Sequence, residues 1–280
     1  PMILTVTLNA SVDLTLFVNG LLSHDTNRVQ RVETDAGGKG LNVARIAAEC
    51  GAQTVATGFL GGGPSHHIRA VLKAQGVEDA MLPIQGETRI NIVVEDGSGK
   101  PPTTFNMAGP EILPHEFEAL KQRIQERMAG AKWVCFGGSV PPGLPKSVFA
   151  DLIRLVRPSG AKVVLDADSE ALVQGVAAGP DFVKPNADEA ARLLGRRVKS
   201  EFEAIEAAQE IRAMTKNPEA RVVLSRGSHG AVMAGPEGVH LAHPPMIRVQ
   251  STIGSGDSLV GAMLASIERG ENPVGALAWG

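Results

Sequence analysis

Ser251-Thr252-Ile253-Gly254-Ser255-Gly256-Asp257-Ser258 sets small residues and then a carboxylate directly ahead of an apolar run, 259–267, that reads as a helix. Two glycines let backbone come close to a ligand, and the free amides at a helix start carry positive potential. Gly254, Ser255 and Gly256 could therefore cradle a phosphate. Asp257 at the mouth of such a cradle could take the proton of a hydroxyl while charge builds on a phosphoryl group being transferred to it. The same octapeptide also fits ordinary helix capping by small and acidic residues, and on its own it leaves both readings open.

A second stretch, Ala36-Gly37-Gly38-Lys39-Gly40-Leu41-Asn42, opens a helix in which Val43, Ile46, Ala47 and Cys50 share a face and Gly51 marks the end. Gly38 permits close approach of a ligand, and Lys39 and Asn42 could offer a charge and an amide to a phosphorylated polyol; the alternative is a flexible turn with an exposed lysine. Arg89 could grip a phosphate with both arms of its guanidinium, or could simply stand exposed on a strand. Asn186-Ala187-Asp188-Glu189 has the spacing of a capping box, yet the same groups at the carboxyl end of a strand could hold Mg²⁺ through water. Asp166 and Asp168 carry the same two readings. His66 and His67 are adjacent, point apart on a helix and make a poor metal pair, so they read as surface histidines.

The elements that must position these residues alternate along the chain. A buried strand over 3–8 runs into Asn9-Ala10-Ser11-Val12-Asp13 rather than a GxGxxG turn, which weighs against a dinucleotide site and a nicotinamide oxidoreductase. Segments 14–18 and 28–33 read as short strands that leave the main sheet. Strand 54–59 and a helix through Val71 and Leu72 follow. Segments 88–94 and 103–107 flank the turn-rich Glu95-Asp96-Gly97-Ser98-Gly99 as a hairpin. With 14–33 they are expected to build a small separate sheet, a lid able to keep water from a reacting phosphoryl group. Beyond Pro114 come a helix carrying Phe117, Leu120, Ile124 and Met128, strand 133–136, helix 146–156, strand 162–166, helix 169–177, strand 181–184, helices 187–194 and 201–214, and strand 221–225. Such alternation means parallel strands with crossover helices, an α/β fold whose ligands bind beyond the carboxyl ends of the strands. Asp13, Ser139, Asp166, Lys184 and Ser225 stand at those ends.

The totals narrow the field. A chain of 280 residues with a formal charge of -3 and 4% aromatic residues has neither the basic field nor the stacking surface that nucleic acid requires. No apolar run approaches the ~18 residues of a membrane span. Cys50 and Cys135 lie in apolar segments with no CxxC spacing, so both are expected as buried thiols in a reducing, cytoplasmic setting.

Taken together, the motifs resemble the ribokinase-type sugar kinases of the PfkB family, in the branch that holds phosphofructokinases and tagatose-6-phosphate kinases. Ala36-Gly-Gly-Lys-Gly-Leu-Asn-Val-Ala44 is similar to the family's first signature and Ser251-Thr-Ile-Gly-Ser-Gly-Asp-Ser258 to its second. Between them, Gly137-Gly138-Ser139-Val140-Pro141-Pro142-Gly143 resembles the sugar-side loop, and Val183-Lys184-Pro185-Asn186 with Glu189 the Asn-x-x-Glu element. The resemblance implies a ribokinase-like three-layer αβα sandwich with a mostly parallel sheet and a small β-sheet lid. It implies one kinase domain over 1–280, with a core from 1–13, 36–85 and 108–280 and a lid from 14–35 and 86–107. Family members run on for tens of residues past the position of Gly280, so the C-terminal end is expected to be cut short.

Carried over by position, the resemblance makes Asp257 the catalytic base and the amides of Gly254, Ser255 and Gly256 the anion hole. Asp13, Gly38, Asn42 and Ser139 would face the sugar, and Lys39, Arg89 and Arg28 its existing phosphate. Lys184, Asn186, Ser225, Gly227 and Thr252 would face ATP, with Glu189 and Asn186 reaching Mg²⁺ through water and K⁺ as a further cation. A homodimer through the lid sheets is implied. Thr88-Arg89-Ile90-Asn91 and Phe105-Asn106 look like 1-phosphofructokinases, Asp25-Thr26-Asn27-Arg28-Val29 and Ala56-Thr57-Gly58-Phe59-Leu60-Gly61-Gly62 like tagatose-6-phosphate kinases, and 250–263 like ribokinase-type 6-phosphofructokinases. Fructose 1-phosphate is the expected acceptor, with fructose 6-phosphate and tagatose 6-phosphate as alternatives and a non-catalytic sugar-phosphate sensor as the rival from another class.

Overall fold

Neighbouring residues of the core strands enter different hydrophobic clusters. Leu4 and Val6 pack on one side of the first strand and Ile3 on the other; Val134 and Phe136 oppose Trp133 and Cys135; Val163 and Leu165 oppose Val164; Val222 and Leu224 oppose Val223. Apolar residues at both phases of a two-residue period are what a strand covered on both faces requires. In the computed structural model, which describes residues 2–244 and 254–278, helices supply both covers.

The chain begins with β1 (Met2–Thr7), β2 (Ser11–Phe17) and β3 (Arg31–Gly37), followed by α1 (Lys39–Glu49), β4 (Gln53–Leu60) and α2 (Pro64–Ala74). Two short strands, β5 (Glu78–Asp79) and β6 (Leu82–Pro83), precede β7 (Arg89–Glu95) and β8 (Thr103–Phe105). Then come α3 (Pro114–Met128), β9 (Ala131–Gly137), α4 (Val148–Val156), β10 (Lys162–Asp166), α5 (Ser169–Ala177) and β11 (Phe182–Val183). The chain continues with α6 (Ala187–Leu194), α7 (Glu201–Met214), β12 (Arg221–Ser225), β13 (Ala231–Gly235) and β14 (Gly238–Ala242), and the last described elements are α8 (Ser255–Glu268) and α9 (Pro273–Leu277).

The main sheet runs β14-β13-β12-β11-β10-β9-β1-β4-β5, with β6 also pairing with β4. From β12 across to β5 every pairing is parallel. One side is covered by α3 to α7 through Leu120, Leu152, Leu172, Ala190 and Ala207, the other by α1, α8 and α9 through Val43, Leu259, Met263 and Leu277. This is the parallel α/β arrangement that the alternation of elements predicts, in the αβα sandwich that the resemblance implies. The β13–β14 hairpin, which extends the sheet antiparallel beyond β12, lies past the last strand read from the sequence.

The small sheet has the order β3-β2-β7-β8, with β2 antiparallel to β3 but parallel to β7. Its first two strands differ in extent from the expected 14–18 and 28–33. Ser11 already pairs with Gly37, and Asp13 with Asp35, because backbone pairing extends through polar residues that show no apolar alternation. Val12 and Ala36 seat this sheet on Leu41 and Ala44 of α1 and Ile68 and Leu72 of α2.

Candidate active site

The chain leaves β1 on one side for β4 and returns much later to the other side as β9, so a crevice opens at the carboxyl ends of these strands. Asn9 lies just past β1, Ser139 just past β9 and Asp166 at the end of β10. α8 brings its N-terminus to the same place by packing against α1. Its N-cap is Gly254 in the left-handed region, with φ 76°, and among the described residues no side-chain hydrogen bond caps it. Asp257 lies within the first turn of the helix and is not its N-cap residue. Asn42 Nδ2, on α1, donates to Asp257 Oδ2 at 2.8 Å.

Asp257 is 6% exposed. Burial first, and the charge of Asp166 second, push its carboxyl up to about 6, against the pull of the Asn42 hydrogen bond and the Lys39 and Lys184 ammonium groups. A carboxylate poised there is charged at neutral pH and still basic enough to accept a proton. Ser255 and Gly256 are the first residues of α8 beside it. A Cβ at Gly256 would lie 2.8 Å from Lys184 Nζ, which places that ammonium group against the first turn of the helix.

Asp166 is the hub of this cluster. It is fully buried, its Oδ1 accepts from Lys39 Nζ at 2.7 Å, and Lys184 Nζ stands 3.2 Å from Oδ2 at an angle that makes an ion pair without a hydrogen bond. Lys39 also reaches Glu189 Oε1 at 3.3 Å. Burial opposes the charge of Lys39, but Asp166, Glu189 and Asp257 outweigh it and raise its pKa. Lys39, expected on the sugar's phosphate, is thus tied to the carboxylates of β10 and α6. Lys184, expected at the nucleotide, stands at the start of α8. The sequence offers Asp166 either capping or Mg²⁺ through water; its two lysine partners are not legible there, because Lys39 is distant from it in the chain and Lys184 lies on another strand.

Four of the expected sugar-side residues, Asp13, Asn42, Arg89 and Ser139, divide between two cavities. Asp13 and Asn42 share one of about 360 Å³ with Gly254 and Ser258 under the small sheet. Asp13 Oδ1 is held there by Ser11 Oγ at 2.8 Å and Asn91 Nδ2 at 2.9 Å. Gly38, the N-cap of α1, adopts φ 124°, a conformation that favours glycine. Arg89 and Ser139 line a second cavity, of about 390 Å³, with Asn9, whose Nδ2 donates to Ser139 Oγ at 3.0 Å. Asn9, just past β1, carries no assigned role in the sequence reading. Arg28 is exposed in the loop between β2 and β3 and makes no ion pair among the described residues.

Asn186, Ser225 and Gly227 line a third cavity, of about 520 Å³, together with Arg226 and His229, neither of which was singled out from sequence. Asn186 and Glu189 form a full capping box: Asn186 Oδ1 accepts from the Glu189 amide and Glu189 Oε2 from the Asn186 amide, each at 2.8 Å. The capping reading holds, and Glu189 keeps Oε1 turned to Lys39. Thr252 lies outside the described residues, as do Ser251 and Ile253. Cys135 is a buried free thiol with a raised pKa, caused first by burial; Cys50, expected buried, is only half-buried. His66 is exposed, whereas Nε2 of His67 is buried without a partner among the described residues.

The sequence pattern of the pfkB family carbohydrate kinases matches residues 4–280. The chain belongs to the pfkB carbohydrate kinase family. This pfkB kinase is 36% identical over 270 residues to the 1-phosphofructokinase of Rhodobacter capsulatus, a match that covers 96% of this chain and 84% of that protein. It is 32% identical over 269 residues to the tagatose-6-phosphate kinase of Staphylococcus epidermidis, covering 95% and 85%. Phosphofructokinase-2 from Escherichia coli, solved in complex with substrates and products, has a TM-score of 0.91 at 31% identity and covers 99% of this chain and 90% of its own. The family resemblance read from the two glycine motifs is confirmed, and with it a phosphotransferase that uses ATP in carbohydrate metabolism. Among its described residues no helix is long and apolar enough to cross a membrane.

Proposed function

We propose that this pfkB kinase transfers the γ-phosphoryl group of ATP to the free primary hydroxyl of fructose 1-phosphate, giving fructose 1,6-bisphosphate and ADP. The observation that carries the proposal is Asp257, a buried carboxylate at the N-terminus of α8, raised to about 6 and oriented by Asn42. Asp257 takes the hydroxyl proton as the sugar oxygen bonds to phosphorus. The bond from phosphorus to the ADP oxygen breaks, and the charge on the moving group meets the Gly254-Ser255-Gly256 amides and the ammonium groups of Lys39 and Lys184. Asp13, Gly38, Asn42 and Ser139 hold the sugar, and Arg89 its phosphate. Arg28 and Thr252 keep the roles implied by the resemblance. Asn186, Ser225 and Gly227 face the nucleotide.

Among the described residues no three His, Cys, Asp or Glu side chains gather as a metal cage. That suits Mg²⁺, which keeps several waters and is held by few carboxylates together with the substrate's phosphates. Glu189 and Asn186 fit the role of holding it through water, and Mg²⁺ supplies charge neutralisation on the phosphates. Potassium is carried over as a further cation from Escherichia coli phosphofructokinase-2, which has been solved with it. The small sheet is proposed to pair with a second copy of this chain. Leu22, Val29, Val32, Phe105 and Met107 are large apolar residues on it or its loops that stay exposed in one chain. The free thiols support a cytoplasmic setting.

The acceptor is tested by following ATP consumption with fructose 1-phosphate, fructose 6-phosphate and tagatose 6-phosphate side by side. The highest kcat/KM is expected for fructose 1-phosphate. Preference for tagatose 6-phosphate would reassign the substrate to that of the Staphylococcus relative, and binding without turnover would make the chain a sensor.

A further inference from the structure

The cavity shared by Asn9, Arg89 and Ser139 carries positive charge that no ion pair among the described residues neutralises. Arg89 donates Nη1 to Met107 O at 2.9 Å and Nη2 to Asn9 O at 3.1 Å, both neutral carbonyls, and its Nε is buried with no partner among the described residues. Burial lowers its pKa, with only Asp13 acting the other way. Lys146 lines the same cavity. It is exposed and, among the described residues, makes no ion pair. The other cations near the crevice are matched: Lys39 and Lys184 with Asp166, Arg45 with Asp35, Arg226 with Glu201. A partly desolvated guanidinium satisfied by carbonyls alone, facing a cavity with an unpaired ammonium group, is short of an anion.

The mount of Lys146 is firm. The loop from Gly138 to Ser147 is tied down where the Ile112 amide donates to Pro142 O at 2.9 Å, and it runs straight into α4, whose first residues Val148 and Phe149 are fully buried. Ser139 Oγ, already accepting from Asn9, keeps its own proton to donate into the cavity. Two cations and a hydroxyl thus converge on one space at the carboxyl ends of β1 and β9.

We infer that Lys146 is the second cation of the clamp that holds the acceptor's existing phosphate, opposite Arg89, and that it sets the preference for a phosphorylated over a neutral sugar. The inference rests on the sugar-phosphate kinase reading of this site. A phosphomonoester dianion fits the pair better than a carboxylate, because it offers three oxygens and a charge near two to a guanidinium and an ammonium group at once.

The test is calorimetric titration of the full chain with fructose 1-phosphate in the absence of ATP, alongside steady-state kinetics. Lys146→Ala is expected to weaken fructose 1-phosphate binding and raise its KM by about tenfold, Lys146→Glu by more, and Lys146→Arg by no more than about twofold. The KM for ATP stays put, and the salt dependence of sugar-phosphate binding flattens in Lys146→Ala. Unchanged melting temperature in Lys146→Ala separates lost binding from lost folding. Fructose 1-phosphate affinity in Lys146→Ala equal to that of the wild type, or no fructose 1-phosphate binding by the wild type, would overturn the inference. Turnover by the wild type is scored separately: tight, Lys146-dependent binding without turnover would sink the kinase reading and leave the clamp standing.

Discussion

Asn42 and Asp257 are 215 residues apart in the chain and meet through one hydrogen bond of 2.8 Å, from the amide nitrogen of α1 to the carboxylate of α8. The two helices that start at the two glycine motifs therefore pack side by side, and each presents a polar residue from its first turn to the same crevice. That bond favours the charged form of a carboxylate which burial and Asp166 push the other way.

The pH profile should show this balance. Asp257 must be deprotonated to act, so kcat/KM for the sugar phosphate is expected to fall on the acid side with an apparent pKa about 6. Asn42→Ala removes a contact that lowers the pKa, and the acid limb should move to higher pH. An acid limb that stays in place in Asn42→Ala would show that the bond does not tune the base.

Stability should respond to the same group with the opposite preference. The folded pKa of Asp257 is raised from 3.8 to about 6, so folding favours the protonated acid. Its contribution is fully present below the unfolded pKa and is lost as pH rises through about 6, by on the order of 3 kcal/mol. Asp257→Asn mimics the neutral form. Its melting temperature is expected to exceed the wild type's by a few degrees at pH 7.5 and to match it at pH 4.

The α1–α8 contact depends on Gly261. A Cβ there would lie 2.9 Å from both Ile46 Cβ and Val43 O, neither of which can swing away. Gly261→Ala should lower stability by about 1 to 3 kcal/mol in urea unfolding and, by spreading the helices, reduce kcat as well.

Gly256→Ala should separate these two effects. Its Cβ would meet the flexible end of Lys184, 2.8 Å away, which can move aside. Melting is expected to change little while kcat falls by about tenfold or more, since the displaced ammonium group no longer meets the transferred charge. A drop in stability with kcat intact would reverse the assignment of Lys184.

What was legible in the sequence was mostly local. The glycines before each helix, the carboxylate at 257, the capping box of Asn186 and Glu189, and the alternation of buried strands with crossover helices are properties of short windows, and they led to the fold and the family. What was hidden depends on which strands are neighbours. That Lys39 meets Asp166 follows from β10 ending beside the start of α1, a fact of sheet order that no spacing encodes. The extent of β2 and β3 was missed for a related reason, since Ser11, Asp13 and Asp35 join a ladder through their backbones while their side chains look like those of a loop.

The most direct measurement is the rate of ADP formation by Asp257→Asn beside the wild type, with Mg²⁺, saturating ATP and fructose 1-phosphate, and with fructose 1-phosphate binding measured in parallel. A fall in kcat of about a thousandfold is expected, with sugar-phosphate affinity within about threefold of the wild type's. A kcat within about tenfold of the wild type's would contradict the role of Asp257 as the base.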